Sequence, residues 1–382
     1  MRNRRAYLAA KRSDPYDPAQ MVEHPYDFVT LPERAARGHA VSHEAVPADR
    51  LSGVLRLRYR LESPLHVGSG VFESAAECGL AGGARPVRGI LRSRGRPVLP
   101  GSSWKGAVRA RFEAITASRL AIVGTTAKEE SFKVPGPLRQ GGGKHLFTIV
   151  DRRVVPALAP QSIVRDAREL PALSPADALF GCMGYRGRLH PREGAIDGAA
   201  ASKPLRVAPL DSPQAHRLAT PSGLRPVARA KYDITEYDIT KVEGRKFYYD
   251  GAVVESRKIR DRGGHREIFE WIDHVPAGAT IAIDVLLYAI TEVELGALLV
   301  SAGYGEEVGI LRFGGYKSVG LGKVRLESAR ATLGKGLDAR RWRRDEGELF
   351  DLDRAVERAE QGYLDLARLA ELHQVTTRGR PA

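Results

Sequence analysis

Alternation of apolar and polar residues predicts two strands. In GVLRLRYRL, residues 53–61, arginines occupy three alternate positions, and apolar side chains stand between them. These apolar residues are Leu55, Leu57, Tyr59 and Leu61. A period of two is typical of a strand with one buried face. The stretch ATIAIDVLLYAI, residues 279–290, is rich in β-branched and apolar residues and predicts a second strand.

Apolar spacings of three and four residues predict two helices. In VLPGSSWKGAVRARFEAI, residues 98–115, four large apolar residues fall on one helical face. They are Trp104, Val108, Phe112 and Ile115. Ser102 or Ser103 is the predicted N-cap of this helix. In the second helix, TEVELGALLVSAG, Thr291 and Glu294 have the spacing of a capping box.

The order of these elements predicts an α+β fold. The elements follow one another as strand, helix, insertion, strand, helix and a last strand, GKVRLES. This order matches a ferredoxin-like βαββαβ unit in which one strand is hidden in the middle. We assign this domain to residues 51–330, with large insertions at about 120–275, where Gly and Pro are frequent. Residues 1–50 are predicted to be an N-terminal arm, and residues 331–382 a C-terminal extension with one amphipathic helix.

The arm contains one apolar segment, HPYDFVTLPE, residues 24–33, in which two prolines bracket Tyr26, Phe28, Val29 and Leu31. Residues next to proline favour an extended backbone. The segment is therefore either an extended stretch that needs a groove to be buried or a strand that packs on the protein's own core.

The charge balance favours a polyanionic partner. The 382 residues include 60 basic and 46 acidic ones, a net charge of +14, and the pI is about 9.9. Such an excess favours nucleic acid, although ribosomal and membrane-surface proteins share it. Cys78 and Cys182 lie outside any CxxC spacing, which supports neither a disulfide framework nor a zinc site. Because no run of about 18 apolar residues occurs, a soluble cytoplasmic protein is expected.

The first predicted helix carries cations in its first turns. Lys105 and Arg109 share one face, Arg111 lies on a neighbouring face, and Ser102 and Ser103 precede them. Cations at this end oppose the helix dipole, and an acidic ligand at the N-terminus would remove the conflict. A solvated basic face is the alternative interpretation.

A second basic motif is LRFGGYKSVGLGKV, residues 311–324. Its glycines and cations would let a phosphate backbone approach, and its tyrosine offers a surface for base stacking. The candidate RNA-binding residues are Arg312, Gly314, Gly315, Tyr316, Lys317, Ser318, Gly320 and Lys323. The motif matches neither a Walker A loop nor a dinucleotide-binding fingerprint. A simple hairpin turn is the alternative.

One histidine follows the first predicted strand. His66 lies in PLHVGSG, residues 64–70, where it can act as a base, donate a hydrogen bond or serve a structural role. No metal-ligand spacing stands beside it, and no metal site is predicted.

The motifs occur in an order that resembles one protein family. PLHVGSG, VLPGSSWKGAVRARFE, ALFG and FGGYKSVGLGKV resemble the RAMP superfamily, the RNA-binding subunits of CRISPR effector complexes. The resemblance is strongest over residues 54–118, 176–190 and 279–328. HPYDFVTLPE and GRKFYYDG, residues 244–251, resemble a branch of the superfamily that is associated with type III complexes.

The resemblance implies an RRM-related, ferredoxin-like core whose insertions act as thumb and web. It also implies a backbone subunit that binds guide RNA, meets target RNA and contacts other effector subunits in antiviral defence. Lys105, Arg109, Lys317 and Ser318 fall where such subunits meet the guide backbone.

The resemblance is weaker for catalysis. Members of the family that cut RNA share an aspartate shortly before a Pro-Val run. In this chain the corresponding stretch is GGARPVRGIL, and Ala84 occupies the position of that aspartate. We therefore expect a non-catalytic or weakly catalytic subunit without a cofactor. The alternative is an endoribonuclease, which would use Glu73 or Glu77 with Mg²⁺ or Mn²⁺, or His66 with a lysine. A structural adaptor is a third possibility.

Overall fold

A computed structural model describes the chain in several stretches. They are residues 25–44, 46–80, 85–120, 131–140, 144–151, 158, 163–198, 204–210, 224–228, 235–239, 244–261, 264–306, 308–336 and 349–379. For residues 131–140, 144–151, 224–228, 235–239, 258–261 and 264–265 only the backbone is described.

Short strands make up most of the regular structure. In the first half of the chain they are β1 (Tyr26–Thr30), β2 (Leu51–Leu61), β3 (Gly68–Glu73), β4 (Val87–Ile90), β5 (Arg92–Ser93), β6 (Arg96–Leu99), β7 (Ser131–Gln140), β8 (Lys144–Asp151), β9 (Gly181–Cys182), β10 (Tyr185–Arg186), β11 (Leu189–Pro191) and β12 (Gly194–Asp197). In the second half they are β13 (Leu205–Val207), β14 (Leu224–Ala228), β15 (Thr235–Ile239), β16 (Gly244–Tyr248), β17 (Arg257–Asp261), β18 (Gly264–Ile268), β19 (Glu270–Ile272), β20 (Thr280–Ile290), β21 (Leu311–Arg312) and β22 (Lys323–Lys335).

Few helices accompany these strands, so the fold belongs to the α+β class, as predicted. The α-helices of the described residues are α1 (Gly101–Ile115), α2 (Pro175–Phe180), α3 (Glu292–Ser301), α4 (Leu352–Glu360) and α5 (Leu366–Thr377). No helix in the described part of the chain is long and apolar enough to span a membrane.

The largest sheet has the strand order β21-β22-β2-β20-β12-β6-β5, and β11 also pairs with β20. β2 lies antiparallel between β20 and β22. The short strands β11 and β12 both pair antiparallel with β20. The predicted alternation in β2 is confirmed, because its four apolar side chains are buried and Arg58 and Arg60 are exposed.

Helices α1 and α3 cover one face of this sheet and form the core with it. The four apolar residues of α1 predicted to share a face are fully buried. Trp104 donates through Nε1 to the Tyr59 hydroxyl at 3.1 Å, and Tyr59 donates to the Ala302 carbonyl at 3.0 Å. The Thr291–Glu294 capping box of α3 is confirmed.

The predicted start of α1 is wrong. Its N-cap is Pro100, not Ser102 or Ser103, and the N-cap makes no side-chain hydrogen bond. Both serines lie in the first turn, because the helix already begins at Gly101. A Cβ on Gly101 would lie 2.3 Å from the Pro191 carbonyl oxygen, so glycine lets the helix start close to β11.

A smaller sheet, β13-β19-β4-β3, packs against the glycine motif. The motif begins with β21 and ends in the first residues of β22. It contributes three side chains to a separate apolar cluster. The buried members of this cluster are Val207, Ala208, Ile272, Tyr316, Val319 and Leu321. The motif therefore joins the small sheet to the large one.

The apolar segment of the predicted arm is a strand packed on the protein's own core. β1 pairs antiparallel with β16, with Tyr26 opposite Tyr248 and Phe28 opposite Lys246. Val29, fully buried, joins the main core. This agrees with the second of the two interpretations of that segment.

The C-terminal amphipathic stretch was predicted as one helix, and that prediction is wrong. α4 ends at Glu360 with Gln361 as C-cap, and α5 begins after Asp365, whose side chain accepts a hydrogen bond from the Arg368 amide. A new N-cap and Gly362, with φ of 151°, interrupt the helix. β22 also runs beyond the predicted domain boundary, to Lys335.

Candidate nucleic-acid interface

The first turn of α1 is open and lacks an acidic residue. Ser102 is exposed, and Ser103 and Lys105 are half-buried. Burial and the nearby Arg109 guanidinium lower the pKa of Lys105. No carboxylate among the described residues pairs with Lys105. The turn thus places an unneutralised ammonium beside the positive end of the helix dipole.

One arginine and two histidines lie in the surroundings of Lys105. Burial lowers the pKa of His190, and Arg186, Lys105 and His43 lower it further. These four side chains come from α1, β10, β11 and the segment before β2. Their mutual repulsion is relieved by any anion bound here.

Gly106 follows Lys105 and is exposed inside the helix. Apart from its two chain neighbours and the backbone of its own helix, no heavy atom of the described residues lies within 4 Å of the position that a Cβ would take. Glycine in a helix interior costs about 1 kcal/mol relative to alanine. Packing within the described protein does not explain this residue, whereas a ligand lying against the bare helix backbone would.

Arg109, in contrast, is held by the protein. It donates to Glu113 at 2.7 Å, to Asp177 at 3.1 Å and to the Gly181 carbonyl at 2.7 Å. Asp177 and Gly181 lie in and just after α2, the helix that contains the ALFG motif. This motif therefore anchors α1.

Arg111 is also held by the protein and is 2 % exposed. Its guanidinium donates to the carbonyl oxygens of Ile310, at 2.9 Å, and Val308. Burial lowers the pKa of Arg111 to about 10. The side chain thus ties α1 to the segment before β21.

The glycines of the second motif approach the protein's own backbone. Gly314 has φ of 73°, and a Cβ there would lie 2.3 Å from the His66 carbonyl oxygen. Gly320 has φ of 96°, and a Cβ there would lie 2.5 Å from the Ala252 carbonyl oxygen. The Gly315 amide donates to the His66 carbonyl at 2.8 Å. These glycines are explained by turn geometry and close packing.

Tyr316 is buried in this loop, with 6 % of its surface exposed. It has the left-handed φ of 56°, and its hydroxyl donates to Glu270. Its ring meets the His66 ring edge to face, with 5.3 Å between centroids. In the free chain this ring thus packs the loop on the small sheet.

Two cations of the motif are neutralised within the protein. Arg312 is buried and donates to the carbonyls of Gly320 at 2.9 Å and Leu321 at 3.1 Å. Lys323 forms ion pairs with Asp250 at 3.0 Å and Glu62 at 3.4 Å.

Lys317 is the exception in this motif. It is half-buried, and no carboxylate among the described residues pairs with it. Burial lowers its pKa, and the positive charges of Arg312 and Lys246 lower it further. Ser318 beside it is half-buried and interacts with the protein. Lys317 therefore differs from Arg312 and Lys323, which both form ion pairs within the protein.

Lys246, whose charge acts on Lys317, is not among the RNA-binding residues that the sequence predicts. Lys246 Nζ lies 4.7 Å from the centroid of the Tyr26 ring and 5.0 Å from that of the Tyr248 ring. All three side chains lie on the β1–β16 pair and are half-buried. Alternation in PYDF and RKFY was the available signal, but it does not say which strands pair.

The catalytic candidates have different hydrogen-bond partners in the described residues. His66 is buried, its Nδ1 donates to the Asp273 carbonyl at 2.8 Å, and burial lowers its pKa. Glu73 accepts a hydrogen bond from the Cys78 thiol at 3.4 Å, and Glu77 is exposed. No three metal-ligating side chains meet in the described part of the chain.

Ala84, which stands where RNA-cutting members have an aspartate, lies outside the described residues. The structure therefore does not test the expectation that was based on it.

The two predicted RNA-binding motifs lie at opposite edges of the sheet. The start of α1 packs against β11, whereas the glycine motif connects β21 to β22. β2 and β20 lie between them.

A comparison with protein families identifies the class. The sequence model of the RAMP superfamily matches residues 58–325, more than half of the chain, so the chain belongs to the RAMP superfamily. Membership implies a CRISPR-associated function in RNA binding. A search of curated proteins gives no significant match.

Proposed function

We propose that this chain is a guide-RNA-binding backbone subunit of a type III CRISPR ribonucleoprotein and takes part in RNA-guided recognition of target RNA in the cytoplasm. The strand order β22-β2-β20-β12, with α1 and α3 on one face, supports a ferredoxin-like, RRM-related core. We assign this core to residues 51–330, flanked by the arm at 1–50 and the extension at 331–382.

The type III assignment has a separate basis. The two segments that resemble the type III-associated branch, residues 24–33 and 244–251, contain β1 and β16, which pair along their whole lengths. Two segments that lie far apart in the sequence thus form one structural unit. This supports the interpretation that their shared resemblance to the type III-associated branch reflects a common function.

The observation that carries the proposal is the pair Lys105–Gly106 on α1. An ammonium that pairs with no carboxylate of the described residues stands beside one helical position that lacks a side chain, at the positive end of the dipole. Phosphate groups fit such a place because they accept hydrogen bonds and carry negative charge. Contacts of this kind fix the position of RNA without reading its sequence.

The division of labour follows from that geometry. The protein neutralises phosphates and recognises the shape of the strand, while base pairing between guide and target supplies sequence specificity. Arg109, Arg111 and Arg312 keep the elements that carry the lysines in place, since each donates to the protein's own oxygens.

The test measures binding of labelled guide RNA and of an unrelated single strand to the purified chain, with and without Mg²⁺. Lys105→Gln is compared with Lys335→Gln, which removes the same charge from the exposed end of β22. We expect Lys105→Gln to weaken both RNAs about tenfold, and Lys335→Gln less than twofold. Equal effects of the two variants would refute the α1 site, and cleaved RNA would favour the endoribonuclease alternative.

A further inference from the structure

The β1–β16 pair has one face buried and one face turned outward. Val29 and Phe247 pack toward the main core, and Arg245 points inward to Glu113 on α1. The alternate side chains form the outer aromatic face, which consists of Tyr26, Phe28, Lys246 and Tyr248. All four of these are half-buried. A partly exposed face of three aromatic rings and a lysine is unusual for a two-stranded ribbon that packs only on its own protein.

The outer aromatic face is rigidly positioned. Thr30 donates through its amide to Glu371 at 2.8 Å, and Arg368 donates to the Thr30 carbonyl at 3.0 Å. Tyr249, on the inner side, donates to Asp27 at 3.1 Å. These bonds tie the ribbon to α5 and to itself, so a ligand meets a preformed surface and little ordering is required on binding.

The rings are arranged around the lysine. Tyr26 meets Phe28 and Tyr248 edge to face, with centroid distances of 5.9 and 6.3 Å. The Lys246 ammonium lies over both tyrosine rings. Cation–π contacts hold such an ammonium in place but leave its charge uncompensated.

A second uncompensated ammonium lies close to the first. The loop that carries Lys317 contacts the segment directly after β16, because Arg312 donates to the Tyr249 carbonyl at 3.2 Å and the Val254 amide donates to the Val319 carbonyl at 3.0 Å. The positive charge of Lys246 lowers the pKa of Lys317, so the two ammonium groups repel each other. The nearby Asp250 carboxylate is already shared by Arg312 and Lys323. In the described residues nothing acidic therefore separates the two lysines.

We infer that Lys246 and Lys317 together bind one phosphate of a single-stranded RNA, and that the outer aromatic face contacts the neighbouring bases. A phosphodiester between two ammonium groups removes their repulsion, and aromatic rings beside a basic groove are how proteins hold unpaired bases. This inference rests on the proposed function and extends it, since it assigns a site to strands outside the α1 and glycine motifs.

The first experiment measures the affinity of the purified chain for single-stranded guide and target RNA in separate titrations at several salt concentrations. Lys246→Gln and Lys317→Gln are each expected to lower affinity about tenfold, and to reduce the slope of log K against log salt by about 0.7. Lys335→Gln is the control. The double variant should lose less than the product of the two single losses, because both lysines serve one phosphate.

Melting temperature separates binding from folding. Lys317→Gln removes a repulsion in the free protein, so its melting temperature should be equal to or above that of the unmodified chain. If Lys317→Gln lowered both melting temperature and affinity, Lys317 would be a structural residue and the inference would be wrong.

The aromatic part has its own readout. Tyr248→Leu should weaken single-stranded RNA at least fivefold but leave binding of inorganic polyphosphate unchanged, because polyphosphate has no bases. Lys317→Gln should weaken both ligands. Equal losses for RNA and polyphosphate in Tyr248→Leu would contradict base contact.

The outcomes distinguish this inference from the proposed function. If the unmodified chain fails to bind RNA, the proposed function fails and the inference fails with it. If that chain binds RNA and the Lys246 and Lys317 variants behave like Lys335→Gln, only the inference is overturned. If these variants keep RNA affinity but no longer associate with a protein subunit, the face contacts protein and the inference is also overturned.

Discussion

The first turns of α1 and the glycine motif at residues 311–324 look alike in sequence but differ in structure. Both combine glycines with cations. In the glycine motif, carbonyl groups of the same protein fill the space beside Gly314 and Gly320. On α1, no described atom fills the space beside Gly106. Close packing within the protein therefore explains the glycines of the glycine motif but does not explain Gly106.

The cations of the two regions divide by residue type. Arg109, Arg111 and Arg312 donate to carbonyl and carboxylate oxygens of the protein. Lys105 and Lys317 have no such partner among the described residues. The planar guanidinium donates several hydrogen bonds in fixed directions and suits buried carbonyl groups, whereas an ammonium is a compact charge that remains available to a phosphate.

The largest effect is expected from Arg109→Gln, which tests this division on one helix. The change leaves Asp177, with 3 % of its side chain exposed, without its ion-pair partner. Breaking such a pair should lower the free energy of unfolding by roughly 3 kcal/mol. Lys105→Gln, one turn earlier, should change it by less than about 0.5 kcal/mol. Urea denaturation measures both, and similar losses would contradict the division.

The next effect concerns the glycine motif. Gly320→Ala should lower the free energy of unfolding by roughly 2 kcal/mol, because it combines positive φ with a clash against the Ala252 carbonyl. RNA affinity of the folded protein should change less than twofold. Calorimetry and RNA titration on the same preparation check this. Lost affinity with unchanged stability would mean that RNA, not the protein, fills the space.

A third prediction joins the two regions. Lys105→Gln and Lys317→Gln should each lower the affinity for RNA about tenfold. The two changes in binding free energy should add within about 0.5 kcal/mol, because the sites lie at opposite edges of the sheet. The measurement is a double-mutant cycle in RNA affinity. Strong coupling between the two would indicate one shared contact and would contradict the separation.

A smaller effect with opposite signs is expected at Gly106. Gly106→Ala should raise the free energy of unfolding by about 1 kcal/mol, since alanine favours helix and meets no described atom. It should also weaken RNA binding, because a methyl group would stand where the backbone of the ligand lies. A variant that is more stable and binds RNA as before would remove the main argument for the α1 site.

The smallest effect is on pH dependence. The folded-state pKa values of His66, His190 and His274 lie below the ordinary value of 6.5, mainly because of burial. Below pH 6.5 the unfolded chain thus binds more protons than the folded chain, and stability falls as pH falls. Urea denaturation at about pH 7.5 and 5.5 should show this loss of stability. His66→Gln should make the loss smaller, because it removes one of the three histidines. A rise in stability on acidification would contradict the assignment.

The parts of the fold that the sequence predicted are those with local periodicity. β2, α1, β20 and α3 each repeat apolar residues at a regular spacing, which depends only on neighbouring positions. β11 and β12 are too short to show any period, so their place in the sheet was not predictable.

The candidate site was predicted less completely for a related reason. The sequence shows that Lys105, Arg109 and Lys317 are basic, but their roles depend on partners far along the chain. Asp177 forms an ion pair with Arg109. Lys246, in contrast, repels the charge of Lys317. Such non-local pairings leave no pattern in the sequence around each residue.

The pairing of β1 with β16 also constrains the order in which the chain folds. Asp27 and Tyr249 are 222 positions apart, and Thr30 and Glu371 are 341 positions apart. Closing such long loops costs entropy before any contact compensates for it, and contacts of this kind slow folding. During synthesis, β1 must wait unpaired until residues 244–248 have emerged. Both strands of the outer aromatic face are nevertheless synthesised before β20 and β22, the two strands between which β2 lies, so this face can form before the central sheet is complete.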